Sequence, residues 1–148
     1  MESAPIIELA ETAHALRKAF ARRASTLGVT GAQWKVLVRL SRTPGLRQVE
    51  LADLLDLEPI TLSRIVDKLA EAGLVERVSD PADRRAWRLQ LTAKSAPLVE
   101  KLRALGDALA DEAFEGITPQ EVEFMRERLA RVRDNLAACT ADKKAVGA

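Results

Sequence analysis

Residues 59–91 read PITLSRIVDKLAEAGLVERVSDPADRRAWRLQL, and this stretch determines the fold. Its first part predicts a helix that begins at a proline and ends at Gly73, because proline is tolerated in a first turn and glycine favours a C-terminal cap. After Gly73 the period changes from helical to alternating, which predicts two strands joined by a turn at residues 80–83. The residues of the second strand that we expect to point inward are Trp87, Leu89 and Leu91.

A separate N-terminal helix is predicted first. Three further helices precede the hairpin, and the 59–73 helix is the third of them. Apolar residues recur at helical spacing over residues 6–24, which indicates a long amphipathic N-terminal helix. Thr30 and Gln33 match a capping box at the start of the next helix, and a short helix is expected over about residues 47–55. Helices followed by a hairpin are typical of a winged helix.

Two long helices are predicted after the hairpin. Thr92 is expected to cap the first, and Thr118 and Glu121 form a capping box at the start of the second. We therefore predict a mainly α protein with a small β-hairpin wing, that is, a winged helix-turn-helix core with additional helices at both ends. The expected boundaries are a single domain over 1–140, a winged-helix lobe over about 30–92, end helices over about 4–27 and 93–138, and a flexible tail over 141–148.

Composition excludes several classes of site. The 148 residues carry 23 basic and 22 acidic side chains, so any case for nucleic-acid binding depends on where the charges lie. Cys139 is the single cysteine and cannot form an internal disulfide, and with one histidine it cannot build a usual structural zinc site. No leader or membrane-length apolar run is present, so we expect a cytoplasmic protein without cofactors or a membrane partner.

The outer face of the 59–73 helix predicts contacts to DNA. Thr61, Arg64 and Lys68 recur at helical spacing, with Ser63 beside them. Hydroxyls bind phosphates or base edges, arginine binds guanine in bidentate fashion, and lysine suits phosphate. The alternative is an ordinary solvated helix face, which the acids Asp67 and Glu71 favour.

The turn between the strands carries a second basic group. Asp83, Arg84 and Arg85, with Arg88 beyond them, place three arginines within five residues on a protruding loop. Such a loop fits a minor groove, whose negative potential attracts guanidinium groups. The alternative is a surface turn with a local Asp–Arg pair.

Together these motifs resemble the MarR family of bacterial transcriptional regulators, over about residues 4–138. The residues that carry the resemblance are Leu51-Ala52, Thr61-Leu62-Ser63-Arg64, Asp67-Lys68-Leu69, Gly73-Leu74-Val75-Glu76-Arg77, Asp83-Arg84-Arg85-Ala86 and Leu91-Thr92. The SlyA branch is the most similar, judged also from Leu9-Ala10, Trp34 and Lys94-Ser95-Ala96-Pro97-Leu98.

This resemblance implies a homodimeric repressor that binds a palindromic operator in double-stranded DNA, with the first and last helices interlocked between subunits. It implies that Thr61, Ser63 and Arg64 contact the major groove. It also implies that Arg85 enters the minor groove, that Asp83 orients Arg85, and that Arg84 lies nearer the DNA backbone. Arg47 departs from the family, which often has serine or threonine at that position. The sequence supports a dimer independently, because a DNA-binding core of roughly 65 residues cannot cover the apolar stripes of the end helices. The alternative is that the same helices pack within one chain.

The resemblance also implies a small aromatic or phenolic effector. His14, Arg17 and Trp34 are the candidate ligand-binding residues, offering a hydrogen bond, a cation and an aromatic wall. For Trp34 the alternative is a core anchor of the second helix, and for His14 and Arg17 it is a helix surface.

No enzymatic site is predicted. The sequence contains no phosphate-binding glycine loop, no nucleophile paired with a base and no metal cluster, and its acids alternate with lysine and arginine as on solvated helix faces. The alternative function is a winged helix used only for protein–protein contact. That function does not require basic residues at the wing tip, so Arg84 and Arg85 argue against it.

Overall fold

The computed structural model of the protein describes the backbone of residues 3–145 and the side chains of residues 3–140. Within that part of the chain, six α-helices and a two-stranded antiparallel hairpin confirm the predicted winged helix-turn-helix fold. The elements are α1 (Ala4–Ser25), α2 (Gln33–Arg42), α3 (Gln48–Leu54), α4 (Pro59–Glu71), β1 (Val75–Ser79), β2 (Trp87–Leu91), α5 (Ala96–Ala113) and α6 (Pro119–Ala145), with a short 3-10 helix (Ala93–Ser95) before α5.

The chain divides into two compact units. The first ends at Leu109 and contains α1–α4 and the hairpin, and the second begins at Ala110 and contains α6. Helix α6 continues to Ala145, and residues 146–148 of the predicted tail lie outside the described residues. The flexibility of that tail stays a prediction.

A leucine and valine core fixes the orientation of α4 in the first unit. Helix α4 buries Leu62, Val66 and Leu69, so the opposite face of the helix is turned outward. Each fully buried side chain of this kind contributes about 1.5–3 kcal/mol. The same buried cluster also contains Leu37, Leu40, Leu51, Val75 and Leu89.

Helix α4 ends where the sequence predicts. Gly73 adopts a positive φ of 72°, and the N–H of Leu74 donates to the carbonyl of Leu69 at 2.9 Å, as in a Schellman cap. The prediction that Thr92 caps the next helix is wrong, because its hydroxyl donates to the carbonyl of Gly73. Lys94 donates to the carbonyl of Ala72 at 2.8 Å, so the end of α4 is fastened to the chain that leads into α5.

The hairpin forms the wing. Val75 pairs with Leu91 and Arg77 with Leu89, and of the three residues expected to point inward Leu89 is buried and Leu91 half-buried. Trp87 was expected inward, but its side chain is 48% exposed because it lies at the end of β2 nearest the tip, beyond the core. The chain before α3 also joins the sheet, since the N–H of Leu89 donates to the carbonyl of Leu46 at 2.9 Å.

The two predicted capping boxes form to different extents. Before α2, the side chain of Gln33 accepts a hydrogen bond from the N–H of Thr30 at 3.4 Å, but the reciprocal bond from the threonine side is missing. At α6, Glu121 accepts from the N–H of Thr118 at 2.8 Å, and the N–H of Glu121 donates to the threonine hydroxyl at 3.3 Å. The two bonds that Thr118 donates to the Glu121 carboxylate, from its backbone N–H and from its hydroxyl at 2.8 Å, lower the pKa of that carboxyl.

Candidate nucleic-acid interface

The outward face of α4 carries the predicted base-contacting residues. Thr61, Arg64 and Lys68 are exposed, while Ser63 is half-buried. Neither Arg64 nor Lys68 forms an ion pair with any side chain of residues 3–140. Both charges are therefore available to an external anion.

Asp67 on the same helix is neutralised from within the protein. Its Oδ1 lies 2.7 Å from Nη2 of Arg77, which comes from β1. The Nε of Arg77 also donates to Gln48 of α3 at 3.1 Å, so one guanidinium joins α3, α4 and β1. The sequence could not show this pairing. Because Asp67 is paired with Arg77, only Glu71 remains of the two acids that favoured a solvated helix face.

The tip of the wing is shaped by a short turn. Oδ1 of Asp83 accepts a hydrogen bond from the backbone N–H of Arg85 at 3.0 Å, and the carbonyl of Asp83 accepts from the N–H of Ala86 at 3.0 Å. Asp83 thus acts on the backbone of the turn and forms no ion pair with a described arginine. Arg84 and Arg85 are exposed, and their guanidinium groups are likewise without an ion-pair partner in residues 3–140.

A buried carboxylate at the base of the wing was missed by the sequence analysis. The side chain of Asp80 is 0% exposed and lies 2.8 Å from Nε of Arg47 and 3.2 Å from Nε of Arg88. It also accepts the N–H of Ala82 at 2.9 Å. The bond from Ala82 and the two guanidinium groups lower the pKa of the Asp80 carboxyl, although its burial acts in the opposite direction.

Arg88 and Arg47 both bind the Asp80 carboxylate and so stabilise the base of the wing. One Nη of Arg88 donates to the carbonyl of Gly45 at 3.0 Å, so this guanidinium binds within the protein, although the sequence analysis grouped it with the DNA-contacting arginines. Arg47 occupies the N-cap position of α3 without capping it, because a guanidinium has no hydrogen-bond acceptor. Its side chain donates to Asp80 instead. Both arginines hold the wing against the start of α3.

The three residues predicted to bind a ligand lie together. His14, Arg17 and Trp34 line one surface cleft with a volume of about 260 Å³. A neighbouring cleft of about 510 Å³ shares Arg17, Trp34 and Lys35 and adds Arg39 and Arg42 of α2. Both clefts combine an aromatic wall with positive charge.

Trp34 has features of both a core anchor and a cleft wall. Its ring packs against Phe20 with centroids 4.6 Å apart, and the ammonium of Lys35 lies 5.9 Å from the ring centroid. The buried Nε1 of Trp34 has no hydrogen-bond acceptor among the described residues. An unsatisfied buried donor is costly, so an acceptor supplied from outside would be stabilising.

Among the described residues, no three side chains of His, Cys, Asp or Glu are placed to hold a metal ion. Cys139 is exposed on α6. None of the helices in residues 3–145 is long and apolar enough to cross a membrane.

Comparison with known proteins finds similar sequences and structures among transcriptional regulators. A family model described as the MarR family matches residues 29–87. The transcriptional regulator PA3341 is 34% identical, with a TM-score of 0.81 over 89% of this chain and 97% of its own. A MarR family regulator from Silicibacter pomeroyi is 30% identical, with a TM-score of 0.77 over 89% and 88% of the two chains. The regulator SlyA has a TM-score of 0.75 over 90% and 94% of the two chains, at 24% identity.

Proposed function

The chain belongs to the MarR family of transcriptional regulators, and we propose that it represses transcription by binding a palindromic DNA operator as a homodimer. The observation that carries this proposal is the distribution of positive charge. Arg64, Lys68, Arg84 and Arg85 are exposed and form no ion pair with the described side chains, while Asp67 is paired with Arg77. Helix α4 and the tip of the wing therefore both present positive charge that a polyanion such as DNA can bind.

Each exposed group has a proposed role in the complex. Thr61, Ser63 and Arg64 read base edges in the major groove, and Lys68 contacts phosphate. Arg85 enters the flanking minor groove, where negative potential favours a guanidinium.

The other wing residues support that insertion. Asp83 sets the backbone turn that presents Arg85, and Arg84 lies nearer the phosphates. Arg88 was predicted to contact DNA, but in this proposal it contributes indirectly, because its contact with Asp80 holds the wing in position.

The dimer would cover apolar surface at both ends of the chain. Helix α1 exposes Ile6 (72%) and Ile7 (53%), and α6 exposes Phe124 (57%) and Leu136 (63%). Surfaces of this kind are normally covered by a partner, and a second copy is the partner that a palindromic operator requires. In this proposal residues 1–140 act as one domain, in which about 30–92 form the DNA-binding lobe and about 4–27 and 93–138 form the dimer.

The test is a selection of bound sequences from random double-stranded DNA at two salt concentrations, with the mass of the protein measured in solution. We expect a palindromic motif whose half-sites lie about one helical turn apart, bound by a dimer. Weak binding of all sequences that disappears with added salt would overturn the proposal. It would also favour the alternative, a winged helix used for protein–protein contact, which family membership does not support.

We further propose that a small aromatic or phenolic carboxylate releases the protein from its operator by binding at His14, Arg17 and Trp34. Arg17 supplies a cation for the carboxylate, and the ring of Trp34 supplies an apolar wall. A ligand acts only through unequal affinity for the two conformations of the protein, so binding and release must be measured together.

The effector test uses tryptophan fluorescence. Trp87→Phe leaves Trp34 as the single tryptophan, because the chain contains two. Titration with salicylate should quench the remaining emission and lower operator affinity, and Arg17→Ala should weaken both effects. Arg103→Ala, which removes a similar charge from α5, is the control and should leave both unchanged. Quenching that leaves operator affinity unchanged would contradict the proposed release.

Two finer assignments belong to the same proposal. Placement in the SlyA branch rests on the motifs alone, since the likeness to the SlyA structure at 24% identity concerns the fold. A cytoplasmic location follows from the proposed role, because a bacterial regulator of this kind acts on chromosomal DNA.

A further inference from the structure

Large apolar side chains are exposed on the first unit close to the wing. Val49 of α3 is 67% exposed, Ile60 of α4 is 64% exposed and Trp87 of β2 is 48% exposed. Within α4 itself, Leu62 and Val66 are fully buried and supply the contacts to the core. The core therefore does not require Ile60, and an exposed apolar cluster of this kind typically marks an interaction surface.

Part of this apolar surface adjoins the charged tip of the wing. Val49, Pro59 and Trp87 line one groove of about 160 Å³ together with Arg85, and Ile60 directly follows Pro59 in α4. Apolar groups beside an arginine that has no ion-pair partner in residues 3–140 fit a partner that is negatively charged and also displays apolar atoms. Double-stranded DNA meets both conditions, since its major groove carries thymine methyl groups between the phosphate backbones.

Ile60 occupies a position in α4 that is suited to contact a base, beside the base-reading residues proposed above. It is the second residue of the helix and lies four residues before Arg64, so the two side chains are neighbours on the helix surface. In helix-turn-helix proteins the N-terminal residues of the recognition helix contact base edges. Thymine is distinguished in the major groove by its C5-methyl group, which apolar side chains recognise.

We infer that Ile60 is a specificity-determining residue that contacts the C5-methyl group of one thymine in each operator half-site. This inference rests on the proposed function, because it requires a specific operator. Burial of a single methyl-sized group changes an equilibrium constant by about fourfold. A dimer that loses the contact in both half-sites should therefore lose about sixteenfold in affinity.

The experiment removes single methyl groups from the DNA. Each thymine of the selected operator is replaced in turn by deoxyuridine, symmetrically in both half-sites, and affinity is measured for the parent protein, Ile60→Ala and Leu54→Ala. The parent should lose about sixteenfold at one thymine position. Ile60→Ala should bind the unmodified operator correspondingly more weakly and show no further loss at that position. Leu54→Ala, which truncates a half-exposed side chain of α3 that does not line this groove, should keep the parent's deoxyuridine profile.

Two results would overturn the inference while leaving the proposed function intact. The first is a parent protein that binds its operator specifically but is indifferent to every deoxyuridine substitution. The second is an Ile60→Ala variant that keeps the parent's sensitivity, since the methyl group would then be read by another side chain. A parent protein with no sequence preference at all would instead overturn the proposed function, and this inference with it. Because Ile60 is exposed, circular dichroism should show the same fold and melting temperature for all three proteins.

Discussion

Replacing Lys68 by alanine should reduce the salt dependence of operator binding and leave the selected sequence unchanged. Lys68 is exposed on the outer face of α4, and its ammonium is not paired with any side chain of residues 3–140. In the proposed complex it contacts phosphate as a point charge, which releases condensed counterions without reading a base.

The expected magnitude follows from the number of phosphate contacts. Each contact contributes about 0.9 to the slope of log K against log salt concentration, so loss of one lysine from each subunit lowers the slope by about 1.8. Between about 50 mM and 200 mM salt, a fourfold change, the parent should therefore lose about twelvefold more affinity than the variant does.

The assay is fluorescence anisotropy with labelled operator at four salt concentrations. Arg103→Ala is the matched control, because it also removes one positive charge, from an exposed position on α5 where Arg103 is paired with Glu100. The control should keep the parent's slope. An unchanged slope for Lys68→Ala, or a changed sequence preference, would refute the assignment of this lysine to phosphate.

Three further predictions concern the wing and the helix ends. Arg85→Ala should lose on the order of 1–3 kcal/mol of binding free energy per half-site in the same assay, and unchanged affinity would show that the wing does not insert into DNA. Because the folded protein lowers the pKa of Asp80 below its ordinary value of 3.8, the ionised carboxylate stabilises the fold above that pH and this contribution disappears as the pH falls through the lowered pKa. Urea unfolding of Asp80→Asn should therefore show lower stability at neutral pH and a flatter acid profile below about pH 4, whereas parallel profiles would contradict the network. Thr118→Ala should cost about 1 kcal/mol of stability through loss of the α6 capping box, Thr118→Ser should retain it, and equal urea midpoints for the two variants would argue against the cap.

The order of elements was predictable because it depends on local signals. Proline at the start of α4, Gly73 at its end and the change to alternating apolar residues each act within a few positions, and all three are present in the structure. The box of Thr118 and Glu121 is equally local, since both partners belong to the first turn of one helix. The positions of the exposed basic residues on α4 and on the wing follow directly from these elements.

The buried network at Asp80 was not predictable, because its partners are distant in the sequence. Arg47 is 33 residues away from Asp80, and nothing in the run from residue 80 to 83 indicates which of its two acids is buried. Arg88 was predicted to contact DNA, but its guanidinium is bound by the buried Asp80 carboxylate inside the protein. Trp87 was misplaced for a related reason, because alternation along a strand gives the face but not the point at which the core ends.

Hydroxyl-radical cleavage of the selected operator tests the central claim most directly, since it reports which parts of each DNA strand the protein covers. With the parent protein we predict protection that is symmetric about the centre of the palindrome and extends into a minor groove on each flank. With Arg85→Ala the flanking protection should disappear while the central protection remains. Protection without symmetry, or flanks unaffected by the loss of Arg85, would contradict a dimer that reads DNA with α4 and inserts its wings into the flanking minor grooves.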